Sequence, residues 1–311
     1  MRDPIAFSPR RELGRTGFRA SVLGIGDLAD RSLLLGECVA TLRRAIDAGL
    51  NVVDTAPGYE DGYSEQIVGA AVQGVRGDLF IIDKIDALEE PVAPQIDKSL
   101  RRLGLEYVDA FVFHGLSSIT LFEQLAAPAG GFDQLAACIK AGKARFGGIS
   151  SHNPDVLRAA ISAGLCDIAM FPVGPFVHER YVNEILPLAH ERGVGTVCFK
   201  TFGAGKLLGD TAGYNQPLQL RPRGKLSSGG SDSTTALLPR LSARECLHYT
   251  LTLDPDVALI GLSFPNEQDQ AWAAARDFEP LVPSQMEDIR QRAAAARIGK
   301  GPCWWNPDPA A

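Results

Sequence analysis

Four residues whose side chains can share or move a proton stand where apolar runs of this chain stop. Asn51-Val-Val-Asp54 leads into a turn, and Tyr59 lies five positions beyond the aspartate. The next apolar stretch, 79–84, closes on Lys84, and the one after it, 107–114, closes on His114. A phenol with an ordinary pKa of ~10 is a weak acid at neutral pH. A neighbouring ammonium favours the phenolate and lowers that pKa. An aspartate beside the lysine keeps it charged and oriented, and an imidazole donates a hydrogen bond to a carbonyl oxygen. Together these groups make a general acid with a polarising donor, which is what reduction of a carbonyl by hydride requires. Taken singly, each has an ordinary explanation: a turn aspartate, a solvated lysine, a loop histidine, a packed tyrosine. Three consecutive strands that end on mutually useful groups argue for one site.

The elements around these residues are expected to bring them together. Apolar strand runs fall at 21–26, 50–54, 79–84, 107–114, 144–149, 167–171, 194–199 and 257–261. Helical periodicity separates them, for example over 37–48, 64–75 with Ser64 as N-cap, 93–103, 132–141, 181–192 and 241–253. Asn153-Pro154 reads as an N-cap followed by proline in the first turn, opening a helix to Ala163. Strands alternating with helices imply a parallel sheet, and eight such units imply a closed (β/α)8 (TIM) barrel. An open doubly wound sheet is the alternative. Gly24-x-Gly26 has no third glycine three positions on, so the dinucleotide fingerprint of that fold is absent.

The whole chain, 1–311, reads as one barrel domain. An N-terminal β-hairpin is expected at about 11–22, around Gly14-Arg-Thr-Gly17. A long turn-rich loop at 203–240 follows the seventh strand, and a tail occupies 280–311. That loop falls on the face where barrel active sites form, which suits covering a cofactor or substrate. Trp304 and Trp305 in the tail either pack on the barrel bottom or line the pocket.

Composition narrows the class. With 45% hydrophobic residues a large core can form, and a net charge of −6 speaks against a nucleic-acid partner. No apolar run approaches the ~20 residues that cross a bilayer, and no signal-peptide pattern is visible. The six cysteines are scattered without a Cys-x-x-Cys pair, which points to buried thiols, a reduced cytoplasmic setting and no cysteine-held metal. The five histidines form no paired ligand motif, so a metal hydrolase is a poor reading.

With Asp54-Thr-Ala-x-x-Tyr59, Ser64-Glu65-x-x-x-Gly69, Lys84, His114, Gly147-Gly-Ile-Ser150 and Gly203-Ala-Gly-Lys-Leu-Leu208 in order, the chain resembles the aldo-keto reductase superfamily from about residue 11 to 276. The resemblance implies a (β/α)8 barrel and an NAD(P)(H)-dependent oxidoreductase acting on a small aldehyde, ketone or sugar. It makes Tyr59 the general acid, Lys84 the group that lowers its pKa, Asp54 the lysine's counter-ion and His114 the residue that orients the carbonyl. It places Ser150 and Ser151 where relatives use serine and asparagine on the nicotinamide carboxamide, and Met170 where many carry glutamine. It makes Phe199 the ring stacked on nicotinamide, with Lys200 approaching the pyrophosphate.

Gly203, Gly205 and Leu207 belong to the expected cofactor loop, and Gly261, Ser263 and Glu267 to the expected adenosine side. Relatives often bind the 2′-phosphate with Arg or Lys there. Ser263 is a weaker ligand and Glu267 repels a phosphate. NADP(H) is still expected ahead of NAD(H). Gly58-Tyr-Glu-Asp-Gly-Tyr63-Ser-Glu65 is similar to a turn of sugar-oxidising relatives, with Tyr63 a rim residue. Two other readings remain: a cofactor-binding regulatory or scaffold member with little turnover, and a Schiff-base lyase with Lys84 as nucleophile.

Overall fold

Short runs of β-branched and aromatic residues alternate with amphipathic helices, and a computed structural model shows how they close. It describes residues 7–8, 10–208, 240–261, 265–298 and 303–306. The strands are β1 (Arg11–Glu12), β2 (Arg19–Ala20), β3 (Leu23–Ile25), β4 (Val52–Asp54), β5 (Phe80–Ile85), β6 (Val108–Phe113), β7 (Ala144–Ser150), β8 (Ile168–Pro172), β9 (Gly195–Phe199) and β10 (Val257–Ile260). Strands β3 to β10 are parallel neighbours in chain order, and β10 pairs with both β9 and β3, closing an eight-stranded barrel.

The helices are α1 (Leu35–Asp47), α2 (Tyr63–Ala71), α3 (Val92–Leu103), α4 (Ile119–Ala126), α5 (Gly131–Lys140), α6 (Pro154–Ser162), α7 (Leu186–Glu191), α8 (Ala243–Thr252), α9 (Pro265–Arg276) and α10 (Pro283–Ala296). Local chemistry sets several of their ends. Asn153 caps α6 by accepting from the Asp155 N–H, with Pro154 in the first turn. Ser242 and Glu245 form a reciprocal capping box on α8. Gly104 closes α3 in the left-handed region.

Strand periodicity separates two cores. Side chains alternate between faces, so residues two apart share one. Val52, Phe80, Ile82, Ala110, Val112, Ile168, Met170, Val197, Val257 and Leu259 fill the barrel interior. Val53, Ile81, Phe111, Ile149, Ala169 and Ala258 pack outward against the helices. The β1–β2 hairpin, with Arg11 opposite Ala20, lies at the bottom of that interior. Its Leu13 and Ala20 join the inner cluster, and the Phe18 ring centre sits 5.3 Å from that of Phe80. Gly14 has φ +49°, and a Cβ there would meet the Gly195 nitrogen at 2.2 Å, so only glycine fits against the barrel floor.

Three elements differ from the sequence expectation. Ser64 is not the N-cap of α2: Gly62 is, and the Ser64 hydroxyl accepts from Thr55 Oγ1 at 2.9 Å. The 116–131 stretch, given no helix by apolar spacing above, contains α4, capped by the Ser118 hydroxyl. The 181–192 helix begins with a wide π-type turn over Tyr181–Ile185. Pro187 has no N–H to give, and a widened turn ahead of it accommodates the missing bond.

Candidate active site

Inward parity decides what lines the top of the barrel. Asp54 continues the series of Val52, and Lys84 that of Phe80 and Ile82. In register Asp54 lies beside Ile82, and Lys84 beside Val112. Both polar residues are almost wholly buried, at 3% and 2% exposure. Burial is tolerated because they are paired. Lys84 Nζ donates to Asp54 Oδ1 at 2.6 Å and to the Thr55 carbonyl at 2.7 Å. Burial alone would depress the ammonium, yet the Asp54 charge, then the contact with Tyr59, outweighs it and its pKa is raised. Burial also raises Asp54, against the pull of Lys84.

Tyr59 sits in the loop between β4 and α2. The Lys84 ammonium lies 4.4 Å from the centre of its ring, and the His114 ring meets that ring edge-on at 5.6 Å. The expected lowering of the phenol's pKa is not the net result. Burial raises it above its usual value, and Lys84 offsets only part of that rise. The phenol therefore holds its proton at neutral pH.

His114 follows β6 on the inward parity of Val112. Its Nδ1 lies 2.6 Å from Asp86 Oδ1, and Asp86 Oδ2 accepts from the Gly58 N–H at 2.6 Å. Despite burial, the contacts with His114 and Gly58 hold the Asp86 carboxyl below its ordinary value. Sequence reading missed Asp86. Its signal was parity, because it stands two positions beyond Lys84 and so faces the same way.

The remaining expected residues fall on the β7–β10 side. Ser150 and Phe199 share the inward parity of Phe146 and Val197, and Ser150 is buried. Ser151 is also buried, but its hydroxyl is engaged in the turn, accepting from the Asn153 N–H at 3.0 Å. Met170 fills the barrel interior at the expected glutamine position. Gly203 and Gly205 have φ of +55° and +83°. The Leu207 side chain is core, and a Cβ on Gly203 would meet its Cγ at 2.9 Å. Gly261 follows β10, and Glu267 is buried in the first turn of α9. Ser263, and the expected loop from 209 to 239, lie outside the described residues.

The tail joins this face and not the barrel bottom. Trp305 Nε1 donates to the Phe176 carbonyl at 3.1 Å, and Tyr181 donates to the Trp305 carbonyl at 3.0 Å. The Trp304 ring lies 4.7 Å from that of His152, whose ring also approaches Phe199 at 5.4 Å. Tyr63 is a rim residue whose hydroxyl donates to the Leu33 carbonyl at 3.1 Å. Two buried polar atoms here have no hydrogen-bond partner, His152 Nε2 and Thr201 Oγ1.

The chain is a closed eight-stranded parallel (β/α)8 barrel with a hairpin across its bottom, and Asp54, Tyr59, Lys84 and His114 stand at its top. Residues 22–292 match the aldo/keto reductase family model, and the chain belongs to that family. L-galactose dehydrogenase of Arabidopsis thaliana is 26% identical over 291 residues, spanning 87% of this chain and 89% of that protein. An aldo-keto reductase of Bacillus halodurans, in a holo form, superposes with a TM-score of 0.67 at 24% identity, over 92% of this chain and 96% of its own. An aldo-keto reductase of Klebsiella pneumoniae in complex with NADPH superposes at 0.64 with 20% identity, over 88% and 90% of the two chains. No helix among the described residues is long and apolar enough to cross a membrane.

Proposed function

We propose that this chain interconverts a small aldehyde or ketone and its alcohol, with a nicotinamide dinucleotide as hydride partner and Tyr59 as the proton donor and acceptor. One observation carries the reading. The Tyr59 ring sits over a buried ammonium that Asp54 and the Thr55 carbonyl hold in place, with His114 edge-on beside it.

The residues on the β7–β10 side suit a dinucleotide. Thr201 offers a buried, unpartnered hydroxyl at the end of β9, and a ligand that bonds it would remove the cost of leaving it unmade. Ser150 and Phe199 would hold the nicotinamide end, and the Gly203–Gly205 turn and Gly261 the rest. NADP(H) is the favoured form, in keeping with the NADPH complex of the Klebsiella protein. When bound, the reduced nicotinamide supplies the hydride.

The chain's own part is proton delivery and positioning. His114, anchored by Asp86, orients the carbonyl oxygen. The Tyr59 phenol gives that oxygen its proton as negative charge develops, and the Lys84 ammonium stabilises the phenolate left behind. In the oxidative direction the phenolate takes the proton back. Burial keeps the phenol protonated in the free protein, and the Lys84 ammonium lessens the cost of giving that proton up.

Use of Lys84 as a Schiff-base nucleophile is disfavoured. A nucleophilic amine needs a depressed pKa, whereas this one is an ammonium tied to two acceptors. Tyr59→Phe removes one hydroxyl and should lower the rate of carbonyl reduction, followed at 340 nm, by about 10²–10⁴-fold with little change in cofactor affinity. Retained activity sinks the acid assignment. A fluorescence titration with NADPH and NADH decides the cofactor, and a silent response to both rejects the oxidoreductase reading. A regulatory member with little turnover would bind cofactor in that titration and fail to reduce any of a panel of aldehydes and sugars.

A further inference from the structure

A second polar cluster shares the face that carries Tyr59, and the steps above leave it without a task. His152 Nε2 is enclosed and has no hydrogen-bond partner. Its ring is flanked by Phe199 and Trp304. The Lys200 ammonium lies 4.5 Å from the centre of the Trp304 ring and 5.6 Å from that of Trp305. Lys200 takes a left-handed backbone, φ +75°, which is uncommon for a residue with a Cβ. Among the described residues no carboxylate pairs with it, and burial is the only influence on its charge, pulling its pKa down to about 8. The His152 imidazole is kept neutral, lowered to about 3 by burial, by Lys200 and by His114. The cluster therefore presents one positive charge without a counter-ion and one ring nitrogen without a partner. The His152 backbone N–H donates to Ser117 Oγ at 2.9 Å, three residues beyond His114, which ties the cluster to the segment that carries that imidazole.

We infer that His152, Lys200 and Trp304 form a substrate subsite for a carboxylate carried by the carbonyl compound. The inference rests on the reading of this chain as a carbonyl reductase and names the class of substrate. A carboxylate oxygen accepts from the Lys200 ammonium, and its second oxygen accepts from His152 Nε2–H. Both are charge-assisted bonds, stronger than neutral ones. Trp304, 59% exposed, offers a ring face for the linker between carboxylate and carbonyl. An anionic oxygen group could also come from the cofactor's phosphates, near which sequence analysis expects Lys200. The substrate is favoured because the ammonium lies against the tail tryptophans and beside the imidazole.

The test compares aldehydes that end in a carboxylate with methyl-ended aldehydes of the same length, across a series of chain lengths, at saturating reduced nicotinamide. The expected result is a kcat/KM preference for the carboxylates of about tenfold or more at one length, the size of a hydrogen bond to a charged group. Lys200→Met and His152→Phe should bring that ratio towards one, whereas Lys200→Arg should keep most of it. A binding measurement needs no turnover: tryptophan emission of the cofactor-free protein should respond to hexanoate and not to hexanamide, and Trp304→Phe should remove the response. Equal kcat/KM for both series in the unaltered protein overturns the subsite. So does a Lys200→Met protein that binds NADPH more weakly yet keeps the carboxylate preference, since the cation then serves the cofactor. If no aldehyde is reduced, the reductase reading fails, and a hexanoate response that matches hexanamide then fails the subsite separately.

Discussion

Asp86 and His114 are joined by a 2.6 Å hydrogen bond between Oδ1 and Nδ1, and the other oxygen of Asp86 holds the Gly58 N–H in the loop that carries Tyr59. One carboxylate thereby ties the imidazole to the segment bearing the phenol. Asp86→Asn keeps the shape but gives up the charge and leaves the Nδ1 contact to an amide. The expected outcome is a fall in kcat of about 10–100-fold, the range for losing a hydrogen bond to a charged group, with cofactor affinity little changed. Steady-state kinetics beside a fluorescence titration of cofactor binding checks it. An unchanged kcat rejects the positioning role.

The same bond makes a pH prediction. The folded Asp86 pKa lies below its unfolded value. Its contribution to stability is therefore present above the unfolded carboxylate pKa of ~3.9 and is lost as pH falls through the folded value. Urea unfolding of the unaltered protein and Asp86→Asn should show a stability gap near neutral pH that narrows in acid. A gap that widens in acid contradicts this sign.

Asp54 and Lys84 should behave as a unit in unfolding experiments. Each alone is a charge in the barrel interior, and removing one leaves the other buried without its partner. Asp54→Ala or Lys84→Met should each cost about 3–5 kcal/mol. The double substitution should cost clearly less than the sum, because no lone charge remains. Additive costs in the double-mutant cycle would show that the 2.6 Å contact carries no coupling.

The legible parts of this chain were those with a period or a terminus. Eight apolar runs at helix-separated intervals predicted the barrel, and the observed strands fall within two or three residues of those runs. Asp54, Lys84 and His114 were visible because each ends such a run. Asp86 was not, because it lies past the end of β5 and only inward parity marks it. The wide turn at Tyr181–Ile185 was hidden because apolar spacing does not register a missing N–H. The Trp304 and Trp305 placement depends on bonds to Phe176 and Tyr181, more than a hundred residues away, which no local pattern encodes. The phenol's raised pKa was also out of reach, since sequence names the neighbouring lysine but not the degree of burial that outweighs it.

Asp83 shows the cost of the opposite parity. It precedes Lys84 on β5 and faces outward toward the helices, where it is fully buried, and its Oδ2 has no partner. Glu65 on α2 is buried too, with Oε2 bound by Arg102 at 2.9 Å and Oε1 unpartnered. Burial, followed by the charge of Glu65, raises the Asp83 carboxyl well above its ordinary pKa. The folded chain therefore holds that proton more tightly than the unfolded chain. Stability is lost as pH rises from the unfolded value of ~3.9 through the folded one. Asp83→Asn keeps the oxygen that accepts from the Lys84 N–H and cannot ionise against the Glu65 charge. It should match the unaltered protein near pH 4 and exceed it by about 1–3 kcal/mol at neutral pH, the range for relieving an unsatisfied buried group. Glu65→Gln should gain less than Asp83→Asn, because burial raises its carboxyl as well but the change also weakens the Arg102 ion pair. Urea denaturation of both variants at several pH values decides the matter, and an Asp83→Asn protein less stable at neutral pH would falsify the account of this pair.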